Sequence, residues 1–369
     1  MDLQFAHIFS ARRKELGYTQ EDIAQYIGVS RAAVSKWEKG QSYPDITVLP
    51  RLATYCNLSI DALLGYEPQL TEAHIVNLYK QLANRFFHEP FTQVEADIEQ
   101  MIRDYYACMP FLLKMAQLYI NYSSVSNDIP RIVARAEALC QRVQQYSDDI
   151  NILQEARMLE GLSLIMQQRP QDVLEKLGNE VNIQHNEEQL IARAYQMLGQ
   201  TTAAKEVLQV SAYQHLFSLT SALTDSLLLT LDQPQKFHES VERLERLLDD
   251  WHVASLNPNS TLVFYIMAAT GYTQLGQYDE AMRMLSAYTK ACQKLDFPLT
   301  LRGDHYFDQI DNWLQSKMQL ATVSPRDEAS IKRDLYTSIA QSPAFAPLTT
   351  REDYQLLLKN LQLTIEGSA

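Results

Sequence analysis

The sequence predicts an all-α protein: a small amino-terminal domain of five short helices, then a long body of helices arranged in hairpins. Three observations lead there. Only 11 Gly and 13 Pro in 369 residues leave too few turn residues for many short strands. Across residues 4–66, apolar clusters recur at helical spacing, each preceded by a capping residue and followed by a breaker. Beyond residue 70, prolines at 90, 110, 130, 170, 234, 258, 298, 325 and 347 divide the chain into roughly fifteen amphipathic segments of helical length. A chain this long exceeds one core, and two or three units are expected.

Composition narrows the classes further. With 46% hydrophobic and 21% charged residues, the chain suits a globular protein and not a disordered one. The amino terminus has Arg12, Arg13 and Lys14 after too short an apolar run for a secretory signal. The longest apolar stretch, residues 215–231, is broken by Ser, Thr and Asp, so no membrane span is expected. Cys56, Cys108, Cys140 and Cys292 lie far apart with no CxxC pair, which points away from disulfides and zinc and toward a reducing cytoplasm. Charge is uneven: residues 1–66 carry seven Lys or Arg and seven Asp or Glu, so the whole net charge of −13 lies after residue 66. An acidic body is repelled by nucleic acid, so any DNA contact must come from the amino-terminal part.

Within residues 1–66, the first helix carries Phe5, Ile8, Phe9 and Leu16 and stops at Gly17. Thr19 can cap the second, where Ile23, Ala24 and Ile27 form one face, and Gly28 supplies the left-handed residue of a sharp turn. Ser30 caps the third, with Val34 and Trp37 inward and Arg31, Ala32, Ser35, Lys36 and Lys39 on its other face. Two helices joined through Gly-Val-Ser, the second with an exposed polar face, meet the requirement for placing a helix in the major groove. The segment TQEDIAQYIGVSRAAVSKWEKG (residues 19–40), with Pro44, Leu49, Leu52, Ala53 and LSIDALLG after it, resembles the Cro/repressor type of helix-turn-helix domain. That resemblance implies phosphate contact by Gln20, base contact by Arg31, Ala32 and Lys36, and help from Ser30, Ser35 and Lys39. It also implies a bridge between Arg13 and Glu38. Arg and Lys can donate to guanine O6 and N7, and an Ala methyl can lie on a thymine methyl.

After a linker at residues 67–70, where Pro68 disfavours helix in its predecessor, residues 71–369 form the body. YQMLGQTTAAKEVL (195–208) and YTQLGQYDEAMRML (272–285) share Tyr, Leu, Gly, Gln, Ala and Leu at six places, with Ala192 and Ala269 three residues before each Tyr. Small residues let two helices approach, Gly ends the first, and Tyr and Leu fill the space between. Weaker copies lie around Tyr119 and Gly161. The pattern resembles the tetratricopeptide repeat, whose stacked pairs leave a concave binding face. Helix geometry then selects Asn121, Asn186, Gln189, Arg193, Gln196, Thr270, Thr273 and Gln274 for the groove, residue types suited to the backbone of an extended peptide.

Catalysis leaves no sign: the chain has no G-x-S-x-G, no phosphate-cradling glycine loop and no H-E-x-x-H, and no two histidines stand three or four residues apart. Neither a metal, a cofactor nor an enzymatic activity is expected. A Cro/repressor-type domain on a tetratricopeptide-like body resembles the peptide-pheromone-responsive transcription regulators of Gram-positive bacteria, the Rgg, PlcR and PrgX groups. The resemblance implies a homodimer on an inverted-repeat DNA operator and a short intracellular signalling peptide as effector. An alternative is a scaffold tethered to DNA, whose repeat region docks a folded protein.

Overall fold

The computed structural model describes residues 4–66, 69–318 and 328–366. The amino-terminal domain has the five expected helices, α1 (Phe5–Glu15), α2 (Gln20–Ile27), α3 (Arg31–Glu38), α4 (Leu49–Tyr55) and α5 (Ile60–Leu64). They close around their own core, in which Phe5, Phe9, Ile23, Val34 and Leu52 are fully buried. Thr19 caps α2 in a reciprocal capping box with Asp22, which satisfies two amide groups the helix cannot satisfy itself. Gly28 ends α2 at φ 84°, and the amides of both Gly28 and Val29 donate to the Ala24 carbonyl. That closure lets the chain reverse within three residues, after which the Ser30 hydroxyl accepts from the Ala33 amide and starts α3.

Glu67 and Pro68 of the expected linker lie outside the described residues, as does Pro325. The body begins with α6 (Glu72–Arg85), α7 (Phe91–Asp104), α8 (Met109–Tyr122), α9 (Ile129–Tyr146), α10 (Ile150–Met166) and α11 (Pro170–Leu177). It continues with α12 (Glu187–Met197), α13 (Thr201–Ser226), α14 (Pro234–Asp250), α15 (Val253–Leu256), α16 (Pro258–Gln274), α17 (Tyr278–Cys292), α18 (Asp311–Lys317), α19 (Glu328–Ala340) and α20 (Glu352–Glu366). These are fifteen α-helices among the described residues, and no strand lies among them. Several prolines that break the sequence pattern are helix starts: Pro110, Pro130, Pro170, Pro234 and Pro258 stand in the first turn of their helices. There the missing N–H has no partner to lose and the fixed φ suits the helix.

The two strong sequence repeats become the hairpins α12–α13 and α16–α17, joined by the same turn. The Gln200 amide donates to Tyr195 O, and the Gln277 amide to Tyr272 O, both at 2.9 Å. Gly199 and Gly276 take φ of 73° and 71°, the left-handed conformation this closure needs. The weaker copy at Gly161 closes the same way, with Arg169 N donating to Leu164 O at 2.9 Å. Here Gln168, at φ 57°, stands where the others have glycine. Gly161 lets α11 approach, since a Cβ there would lie 2.8 Å from Leu177. The copy near Tyr119 keeps a buried tyrosine but ends in a 3-10 turn at Ser123–Val125.

The chain divides into two compact units, residues 1–179 and 180–369. Residues 178–186, between α11 and α12, carry no helix, and no proline marks this break in the sequence. In the second unit α16 is central, packed by α13, α15 and α17. Gly271 of α16 meets the Phe237 ring of α14 so closely that a Cβ would lie 2.4 Å from it. Gly271→Ala is therefore expected to destabilise by about 1–3 kcal/mol, because Phe237 is itself fully buried and must move. Gln168→Gly should act in the opposite direction, stabilising by about 1 kcal/mol through relief of the left-handed strain. Urea titrations followed by circular dichroism measure both, and a neutral Gly271→Ala would show that the contact can relax.

Candidate nucleic-acid interface

The surface of α3 is set by its eight residues. Val34 and Trp37 are buried, while Arg31, Ala32, Lys36 and Lys39 are exposed and Ser35 is half-buried. These five residues, Lys39 standing just past the end of α3, share one face, since offsets of three and four place side chains beside one another. Arg31, Lys36 and Lys39 form no ion pair among the described residues. Several arginines elsewhere are bound to carboxylates: Arg85 to Glu89 and Asp97, Arg131 to Glu95, Arg135 to Glu99, Arg169 to Glu137, Arg283 to Glu245 and Arg351 to Asp279. Unpaired cations therefore stand together on one exposed helix face, ready to meet an anion.

Glu38 locates that helix. Its carboxylate accepts from Arg13 of α1, with Nη2 to Oε2 at 3.1 Å, and from Gln20 Nε2 of α2 at 2.9 Å, so three helices meet at one group. Burial pushes the carboxyl up, but hydrogen bonds from Arg13 and Gln20 and the charges of Arg13 and Lys14 outweigh it and hold it below the usual carboxylate range. The expected Arg13–Glu38 bridge is present. Gln20 is a partner in it, and one of its two amide hydrogens remains for a phosphate. The Ser30 hydroxyl accepts from the Ala33 amide in the cap of α3 and keeps its own O–H donor. Arg51 of α4 belongs to no motif in the sequence, yet it donates to the carbonyls of Tyr26 (2.8 Å) and Ile27 (3.1 Å). It thereby binds the end of α2 next to the turn. A separation of 24 residues gives no local pattern from which this contact could be read.

Residues 10–63 match the helix-turn-helix family. The amino-terminal domain is a helix-turn-helix domain. The chain is 35% identical over 75 residues to the HTH-type transcriptional activator BcrR of Enterococcus faecalis, a match covering 20% of this chain and 37% of that protein. It is 33% identical over 66 residues to the SPbeta prophage-derived uncharacterized HTH-type transcriptional regulator YonR of Bacillus subtilis (strain 168), covering 18% of this chain and 61% of that protein. The chain thus spans less than two thirds of the length of either relative. No solved structure matches it.

The groove residues expected in the body are divided by the structure. Asn186 precedes α12, and Gln189, Arg193 and Gln196 follow at helical spacing; all four are exposed, as is Gln274. Asn121 is exposed but donates to the Tyr79 hydroxyl at 2.9 Å, which ties α8 to α6. Thr270 and Thr273 are buried and cannot line an open groove. The reason lies in α16, which is covered on several sides and leaves no polar stripe. Thr273 is tolerated there because its hydroxyl returns to the Ala269 carbonyl at 2.8 Å. Among the described residues, no helix is long and apolar enough to cross a membrane.

The Glu38 junction yields a stability prediction with a sign. A carboxyl held low in the folded state contributes stability above its unfolded pKa, and that contribution is lost as pH falls through the folded pKa. Glu38→Gln should therefore be less stable than the wild type at neutral pH, and the difference should shrink on acidification below about pH 4. Arg13→Ala leaves Glu38 without its charged partner and should cost about 1–3 kcal/mol at neutral pH. Thermal melts across pH test this, and a gap that stays constant with pH would remove the charge from the explanation.

Proposed function

We propose that the protein is a sequence-specific, DNA-binding transcription regulator whose helical body senses an effector. The supporting observation is the row of cations without ion partners on the exposed face of α3, within a helix-turn-helix domain and on a chain whose net charge of −13 lies after residue 66. Arg31, Ala32 and Lys36 read base edges, Ser35 and Lys39 assist, and Gln20 and Ser30 hold phosphates from the two helix starts. The action is binding and not catalysis, and it places the protein in the cytoplasm with the DNA. One helix of eight residues reads too few base pairs to be selective, so two copies act together on an inverted repeat. The tetratricopeptide-like hairpins, as in the peptide-responsive regulators they resemble, receive a short intracellular peptide, with Asn186, Gln189, Arg193 and Gln196 on its path. A second reading, docking of a folded protein, draws support from the apolar side chains exposed at Leu190 and Met197 of α12 and at Leu198 just after it.

Selection of bound sequences from a random DNA pool with the full chain provides the operator. On it, Arg31→Ala and Lys36→Ala should each lose about 1–3 kcal/mol of specific binding, while Lys39→Ala should weaken all sequences alike. Affinity should fall steeply with salt. Equal losses on selected and random DNA for all three variants would reduce α3 to a phosphate-binding surface. Light scattering of the full chain should give twice the 42.3 kDa chain mass, and a monomer bound to a single half-site would overturn the paired arrangement.

A further inference from the structure

A shallow cavity of about 200 Å³ opens on the second unit, where the end of α14 meets the loop ahead of α18. Asp250, Trp251 and His252 line it from one side, and Asp304, His305, Tyr306 and Phe307 from the other. The rings of Trp251 and Tyr306 stand nearly perpendicular, 87° apart with centroids at 5.4 Å. Phe307, fully buried, packs against both. Trp251 is 37% and Tyr306 57% exposed, so two large aromatic rings are presented side by side to solvent at a concave point. No lysine or arginine lines the cavity. Asp250 has no ion partner among the described residues. Asp304 accepts from the amides of Tyr306 (2.9 Å) and Phe307 (2.8 Å) through one oxygen, which shapes the loop that carries Tyr306 and leaves the second oxygen for a ligand.

Aromatic faces attract cations through their quadrupole, and adjacent carboxylates add a charge that aromatic rings alone lack. We propose that this cavity binds an organic cation, an alkylammonium or guanidinium group, with Trp251 and Tyr306 as walls and Asp250 and Asp304 as counter-charges. A second depression on α14 is bordered by Glu242, Glu245 and Asp249 together with Arg246. The volume admits the head of a lysine or arginine side chain as readily as a small free amine. The site supplies a chemistry for the effector and rests on the effector-sensing reading only for its link to DNA.

Calorimetry on the full chain without DNA tests the pocket apart from that reading. The probes are arginine amide and the blocked tripeptide Gly-Arg-Gly, with the blocked Gly-Glu-Gly peptide as control at equal ionic strength. Saturable binding of the arginine probes is expected, weakened about five- to thirtyfold by Trp251→Leu and by Asp250→Asn, with no binding of the glutamate peptide. Tighter binding of the tripeptide would identify a peptide side chain as the source, and equal binding a small free cation; both support the site. Tyr306→Ala, at an exposed position, serves if Trp251→Leu does not fold. Absence of saturable binding in the millimolar range, or unchanged affinity in the variants, would overturn the proposal. Operator affinity with and without the bound probe then tests the link to DNA separately.

Discussion

A helix of eight residues is unstable alone in water, because nucleation costs more than so few hydrogen bonds return. The exposed face of α3 therefore exists only through what its other face touches. Val34 and Trp37 enter the amino-terminal core, Trp37 meets the Phe9 ring edge-on with centroids 6.5 Å apart, and Glu38 is held by α1 and α2 together. The direction in which Arg31 and Lys36 point is thus decided by groups that never approach a ligand. Arg51, closing the end of α2, belongs to the same support.

Ion pairs tie neighbouring helices in both parts of the molecule, Arg13 to Glu38 in the amino-terminal domain among them. In the body, arginines join neighbouring helices through carboxylates, as Arg131 and Arg135 of α9 do with Glu95 and Glu99 of α7, and Arg283 of α17 with Glu245 of α14. Each such surface pair contributes little to stability. The body as a whole keeps a negative remainder, the net charge of −13 lying after residue 66, which disfavours a phosphate backbone. The same negative remainder makes a cation-binding cavity beside Asp250 and Asp304 consistent with its surroundings.

Much of this was legible in the sequence. The five amino-terminal helices, the caps at Thr19 and Ser30, the left-handed Gly28 and the polar face of α3 all follow from residues within one or two turns of each other, where spacing and geometry are directly linked. The shared turn of the α12–α13 and α16–α17 hairpins was equally readable, since Tyr, Gly and Ala stand at fixed offsets and the closure is local.

What tertiary structure alone decided are the matters that depend on distant neighbours. Thr270 and Thr273 have the polar character of groove residues, and only the packing of other helices around α16 buries them. Asn121 became a tie between helices because Tyr79, 42 residues away, lies opposite it. Gln168 occupies a left-handed position that no glycine announces, and Trp251 and Tyr306, 55 residues apart in the chain, form one cavity. Local sequence determines which faces are apolar and where helices start and stop; which faces are covered depends on contacts between segments far apart, for which a single sequence carries no periodicity.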